Sequence, residues 1–549
     1  MFRIVPLGGL GEIGLNMMAF EDKESMFIVD AGLMFPEDHM LGVDIVIPDM
    51  SYLKKRKEKI SGIILTHAHE DHIGAAPYLI REIGAPIFGS SFTLAMLRHK
   101  LMEHDLMDSA LLYEIDPDQT LKLGNFQAEF IRVSHSVLDG LAIAVRTPLG
   151  LVIHTGDFKL SGGGGPDDST DVEKFIRLGD EGVLALLSDS TNVEKGGHTF
   201  SDRKVADTLS EIADEAGGRL IVALFASNIR RVQQIIDMAR SRDKRVAING
   251  KSIETSVRIA SGLGYIDLGD DVEIDIDRIS SLPDDRIVII TTGSQGEPMS
   301  ALARVANGMH KHIALKKEDT VILSSKFIPG NEKAIANMIN NMYRKGVNVI
   351  YEKISDIHVS GHGFREELKR MIEYTRPRHF IPIHGEFRHL TLHARLAGRM
   401  GIPPERIFRV ENGQVIEFSK NGGRIAEKVQ TGRVLIDGKG IGDVGRSVLR
   451  DRRTLSEEGF VVVNMAFDEE TGVIIYGPDV VSRGFVFEME KGHLLEDAKC
   501  VILEIVDEID PESENRLEKI KSKISASLKS YFSFAIKRRP VILPFIIEL

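Results

Sequence analysis

The chain has 549 residues, room for two to four domains and an ample core. Hydrophobic residues at 43% and charged ones at 27% are ordinary for a soluble globular protein, and a single cysteine, Cys500, excludes both an intrachain disulfide and thiolate-held zinc. A formal net charge of −12 opposes a nucleic-acid partner, except where divalent cations cancel it locally.

In chain order, residues 1–160 carry short apolar runs broken by turn signals: Phe2–Leu7, Met26–Val29, Ile60–Leu65, Phe126–Val133, Leu141–Val145 and Leu151–Ile153. They predict a sheet-rich domain over 1–200. From Ser201, an N-cap, helix and strand alternate: a helix with Val205, Leu209, Ile212 and Ala216 on one face, strand Leu220–Phe225, helix Ile229–Arg240, and strands Arg245–Ile248, Ile287–Thr292 and Thr320–Ser324. Helix Glu332–Lys345 and strand Val347–Tyr351 follow, so 201–353 reads as a doubly wound parallel sheet. Metal-ligand residue types return over 354–430, with helix Phe364–Tyr374 and strand Phe380–Ile383, as if the second domain interrupts the first. Gly438–Gly442 predicts a linker over 431–445. The remainder, 446–549, reads as strands 459–465 and 471–476, helices 492–508 and 513–530, and a final strand Val541–Glu548.

One motif is a decoy. Gly9-Leu10-Gly11-Glu12-Ile13-Gly14 matches the dinucleotide fingerprint and has Asp30 downstream. Asn16–Phe20 is strand-like, however, and leaves no room for the crossover helix that the pyrophosphate needs.

The chemistry concentrates in Thr66-His67-Ala68-His69-Glu70-Asp71-His72, after a strand and before a helix that starts near Ile73. Such a loop can aim His67 and His69 at one cation while Asp71 and His72 turn to another. Imidazole with carboxylate suits zinc or manganese. His135, Asp157 and His384 each follow a strand and complete a binuclear set, which implies a two-metal hydrolase.

The order Asp30, His67-x-His69-x-Asp71-His72, His135, Asp157 and a late His384 resembles the metallo-β-lactamase superfamily. The α/β insert before His384 is similar to that of the β-CASP branch. Val5–Gly14, Ser188–Thr191, Thr292–Pro298, Lys326–Glu332 and His358–His362 resemble the bacterial ribonuclease J family over almost the whole chain. The resemblance implies an α/β fold: a metallo-β-lactamase αββα sandwich interrupted by a β-CASP domain, plus a small C-terminal α/β domain. It implies two divalent cations per subunit, zinc before manganese. His67, His69 and His135 would hold one, Asp71, His72 and His384 the other, with Asp157 bridging and Asp30 supporting the loop. His362, Asp71 and Asp189 are the implied catalytic groups, and RNA is the implied substrate, cleaved from a 5′-monophosphate end and internally, in RNA maturation and decay.

Two cations would activate water and neutralise phosphate, leaving a proton donor for the departing O3′ to be found; His362 is the candidate, with electrostatic stabilisation of the transition state as its alternative role. The products would be a 5′-phosphate and a 3′-hydroxyl. His358, Val359, Ser360, Gly361 and His362 read as a terminal-phosphate nest. Small polar residues after the insert's strands, namely Ser227, Asn228, Gly293, Ser294, Ser325 and Lys326, are expected on the RNA backbone. A β-CASP nuclease for DNA or RNA 3′ ends, a small-molecule metallo-hydrolase and a scaffold in an RNA-decay assembly stay open as alternatives. The apolar strand Val541–Ile547 needs covering: a homodimer or homotetramer through the C-terminal domain is expected, with burial inside its own domain as the alternative. Met1–Gly9 lacks a signal-peptide pattern and no apolar run spans a bilayer, so a cytoplasmic location without membrane contact is expected.

Overall fold

The structure, a computed structural model, describes residues 1–160, 169–269, 272–297, 299–327, 331–352, 354, 357, 359–438, 440–442, 444–485, 491–511 and 513–549. The chain forms two compact units, one of Met1–Phe35 with Val46–Val434 and the other of Pro36–Ile45 with Leu435–Leu549.

Among the described residues, the first unit holds an eight-stranded and a six-stranded sheet packed face to face. Alternation in Phe2–Gly8, Met17–Glu21, Met26–Val29 and Phe126–Arg132 sends Phe2, Ile4, Phe20, Phe27, Phe126 and Phe130 into the shared core. Rings Phe20 and Phe27 stack at 5.0 Å, and Phe126 meets Phe27 edge-on at 5.3 Å. Such pairs add about 0.5–1.5 kcal/mol each beyond area burial. The outer face of the six-stranded sheet buries Ile131, Ala142 and Ile153 against Phe175, Leu178, Leu368 and Met371 from helices Val172–Glu181 and Arg365–Thr375. This is the αββα sandwich.

Strand direction positions the site. Met26–Val29 runs parallel to Ile60–Ile64; Gly150–His154, Val183–Asp189 and His379–Ile383 run parallel in the other sheet. Phe126–Arg132 is related to Gly150–His154 by two antiparallel steps, so it points the same way. The ends of all these strands therefore emerge at one edge: the segments that follow carry Asp30, His67, His69, His135, Asp157 and His384, Asp189 closes its own strand, and Asp71 and His72 sit on a short helix, Glu70–Ile73, that starts before the expected Ile73.

The insert is an all-parallel sheet, in the order Arg245–Asn249, Ile287–Thr291, Leu220–Ala223, Thr320–Leu323, Asn348–Ile350. Ile287–Thr291 is buried throughout, as a strand covered on both faces must be. Helix Ile229–Arg240 spans the predicted residues, and Ser201 caps helix Asp202–Glu215 by accepting from Lys204 N.

The second unit has the sheet Ile474–Arg483, Phe460–Phe467, Val541–Glu548. Helices Lys491–Asp507 and Arg516–Ile536 cover one face, burying Val461, Val463, Ile502, Ile524, Leu528 and Ile546. Within the segment expected as a linker, strand Arg433–Asp437 pairs antiparallel with Gly440–Ile441, Ile436 opposite Ile441 and Asp437 opposite Gly440. The glycine-rich decoy leads into strand Met17–Glu21, antiparallel to Phe2–Gly8, with no crossover helix. Helices Ser91–Glu103, Lys251–Gly262 and Arg446–Glu458 were not foreseen. Among the described residues, no helix is long and apolar enough to cross a membrane.

Candidate metal centre

His67 Nε2 and His135 Nε2 each lie 3.1 Å from His69 Nδ1, while Asp157 Oδ2 is 3.6 Å from the first and 3.8 Å from the second. Four donors on one tetrahedral cation, bonded at about 2.0–2.2 Å, are separated by roughly 3.3–3.6 Å. A second group has the same spacing. His72 Nε2 is 3.3 Å from Asp157 Oδ2 and 3.6 Å from Asp71 Oδ2; His384 Nε2 is 3.5 Å and 3.3 Å from those two oxygens. One oxygen, Asp157 Oδ2, is common to both groups. The donor set is of the kind that holds divalent metal, with three nitrogens in one group, two in the other and Asp157 Oδ2 within reach of both.

The far side of every imidazole is engaged. His135 Nδ1 donates to Gly361 O at 2.8 Å and His72 Nδ1 to Asp30 Oδ2 at 2.8 Å. The Gly361 carbonyl can only accept, so His135 Nδ1 carries the proton and His135 Nε2 faces the site bare. His67 Nδ1 meets Thr66 Oγ1 at 3.0 Å, His384 Nδ1 meets Thr191 Oγ1 at 2.7 Å, and His69 Nε2 meets Ser227 Oγ at 3.1 Å. Asp30 also accepts from Thr66 N at 2.8 Å, fastening the start of the histidine loop. His384 itself sits at φ 53°, the left-handed region that costs a non-glycine residue energy and clusters at functional sites.

The charges divide along the same line. Burial, and then neighbouring imidazoles, hold His67 and His135 well below the usual histidine range, and burial lowers His69 to about 4. The three are neutral donors. Burial opposes charge on His72 and His384 too, but Asp157 and Asp71 outweigh it, raising His72 well above its ordinary value and His384 to about 9.

His362 Nδ1 donates to Asp189 Oδ2 at 2.8 Å and lies 3.9 Å from Asp157 Oδ2. Burial opposes its protonation, but Asp189 and Asp157 raise its pKa above the ordinary value. Asp189 is fixed in turn by Thr191 N at 2.9 Å and Thr191 Oγ1 at 2.8 Å. The loop that carries His362 is pinned at Gly361, where a Cβ would stand 2.5 Å from His135 Cε1. Ser360 Oγ accepts from Asn192 Nδ2 at 2.6 Å, and Val359 is buried. His358 lies outside the described residues.

In the insert, Ser227 reaches the site through His69, and Asn228 caps helix Ile229–Arg240. Gly293, Ser294 and Ser325 are buried, the last accepting from Gln295 Nε2 at 3.0 Å. Lys326 is exposed, with the Lys195 ammonium beside it. Thr66, Thr191 and Asn192 had no assigned role in the sequence, although each adjoins a residue of the motifs; Asn16 and Lys195 had no signal beyond position.

Comparison with known proteins places the chain. Residues 11–220 match the metallo-beta-lactamase superfamily, 217–342 the ribonuclease J beta-CASP domain, 346–406 the Zn-dependent metallo-hydrolase RNA specificity domain and 447–549 the ribonuclease J C-terminal domain. Ribonuclease J2 of Bacillus subtilis is 38% identical over 547 residues, covering 100% of this chain and 98% of its own length. Ribonuclease J 1 of Streptococcus pyogenes is 39% identical over 544 residues, covering 99% and 97%. A crystal structure of an Enterococcus faecalis protein of unknown function shares the fold, with TM-score 0.54 and 14% identity over 76% of this chain and 99% of its own. With its sandwich, its insert and its donor set accounted for, the chain belongs to the ribonuclease J family.

Proposed function

We propose that this metal-dependent ribonuclease removes nucleotides from the 5′-monophosphate end of RNA and also cuts internally. The observation that carries the reading is the paired donor set around Asp157 Oδ2, with the Asp189–His362 couple at its rim. Two divalent cations there, zinc before manganese, would supply an activated water and neutralise the scissile phosphate. The residues do the rest. His67, His69 and His135 offer neutral nitrogens to one cation, and Asp71, His72 and His384 offer the second set. Asp189 holds the His362 imidazole by Nδ1, which leaves Nε2 to give a proton to the leaving O3′. Hydrolysis by this route leaves a 5′-phosphate and a 3′-hydroxyl.

The Ser360–His362 loop is braced by Asn192 and stands next to the centre, a placement that suits the terminal phosphate. Lys326, with Lys195, offers charge to the backbone, and Ser227 is close enough to the centre to meet it as well. The burial of Ser294 and Ser325 gives them a structural part instead. The domain reading follows the same lines: sandwich over 1–200 and 354–430, insert over 201–353, and a C-terminal oligomerisation domain over 446–549.

RNAs of one sequence bearing a 5′-monophosphate, triphosphate or hydroxyl test this. Mononucleotide release should be fastest by far from the monophosphate. Equal rates from all three ends, with internal products only, would reduce the reading to an endonuclease and remove the pocket.

A further inference from the structure

The glycine-rich loop that mimics a nucleotide fingerprint has a different use here. Strand Phe2–Gly8 delivers it to the edge where the metal ligands emerge, and its backbone folds tightly back on Asn16. Gly9 has φ 83°, and a Cβ on it would lie 2.3 Å from Asn16 Oδ1; a Cβ on Gly8 would lie 2.0 Å from Leu15 O. Only glycine fits at both places.

Asn16 so placed grips Asp71. Its backbone N–H donates to Asp71 O at 3.1 Å, and its side-chain Nδ2 donates to the same carbonyl at 3.0 Å and to Asp71 Oδ2 at 3.3 Å. The amide nitrogen also lies 3.2 Å from His72 Nε2. Gly32, whose N–H donates to Asn16 O at 2.9 Å, completes the clasp, and a Cβ there would stand 1.7 Å from Asp71 O. Asp71 is the one donor of the second group that needs such a clasp: its side chain is 29% exposed, against 2% for His72, 5% for His384 and 3% for Asp157. A carboxylate that can swing to water is a poor ligand unless a donor holds it.

We infer that Asn16 is a positioning residue of the second cation site: its amide N–H orients Asp71 Oδ2, and retention of the second cation depends on it while the first site does not. The inference rests on the two-cation reading. The first group, His67, His69 and His135 with Asp157, is not touched by Asn16 in any hydrogen bond among the described residues.

The test titrates Zn²⁺ and Mn²⁺ separately into the metal-stripped full-length chain by calorimetry, with bound metal counted by mass spectrometry and melting recorded alongside. The parent should take up two equivalents; uptake of none would overturn the two-cation reading itself. Asn16→Ala should keep the first equivalent at parental affinity and bind the second about 10–100-fold more weakly. Asn16→Asp keeps the size and the backbone bond but replaces the donor by an anion, and should weaken the second equivalent at least as much. Unchanged affinity for both equivalents in Asn16→Ala would overturn the inference. A tighter second equivalent in Asn16→Asp would also overturn it, by making residue 16 a direct oxygen ligand.

Discussion

Each imidazole of the centre has one nitrogen directed into the donor cluster and the other at a protein partner, so removing a partner should loosen metal without removing a ligand. Asp30→Ala deletes the acceptor 2.8 Å from His72 Nδ1, and the second cation should then bind about 10–100-fold more weakly, as read by metal content after dialysis. His362 is different in kind. His362→Ala should leave metal content intact and lower kcat by about 10²–10⁴-fold, the usual contribution of a positioned acid; loss of metal together with activity would make it a ligand instead. Lys195 lies off the centre. Burial, then the neighbouring Lys326 ammonium, pull it from 10.5 to about 8. The folded state therefore holds this proton less well than the unfolded one, and the penalty is complete below pH 8 and relieved as pH rises from there towards 10.5. Lys195→Met should raise Tm at pH 7, by an amount that shrinks above pH 8. A gain that does not change with pH would refute the pairing.

At the scale of elements, local chemistry decided which parts were readable. Helix Ile229–Arg240 has a capping Asn228 and a clean apolar face of Val232, Ile235, Ile236 and Ala239, and its ends match the prediction. Ser201→Ala, which removes the cap of Asp202–Glu215, should cost about 1 kcal/mol in denaturant unfolding. Helix Ser91–Glu103 was missed because its buried Phe92, Leu94, Leu97 and Leu101 are interleaved with Met96, Met102 and polar groups, and no apolar stripe emerges. The pairing of Asp437 with Gly440 was missed because the glycines there carry the composition of a linker. In the site, the His67–His72 run was legible because its ligands are consecutive. Asn16 and Thr191 were not, because a neutral amide or hydroxyl has no diagnostic spacing and meets its partner, Asp71 or His384, only through the fold.

The second unit ends in a strand, Val541–Glu548, that is bonded on one side only among the described residues. Leu543, Phe545 and Ile547 point away from the helices and are 37%, 59% and 55% exposed, an apolar row on an open edge. The family comparison speaks to RNA and leaves assembly untouched, so self-association through this strand remains our proposal. Sedimentation of Phe545→Asp beside the parent checks it: the parent should run as a dimer or larger and the variant as a smaller species, and a monomeric parent would contradict the proposal.

If the paired donor groups around Asp157 make this chain a ribonuclease, hydrolysis must track metal loading. The most direct test follows the rate of RNA hydrolysis by the metal-stripped protein as zinc or manganese is returned in measured equivalents. Cleavage should be absent without metal and reach full rate only as the second equivalent fills. Full cleavage by the stripped protein, or saturation at one equivalent, would contradict this dependence.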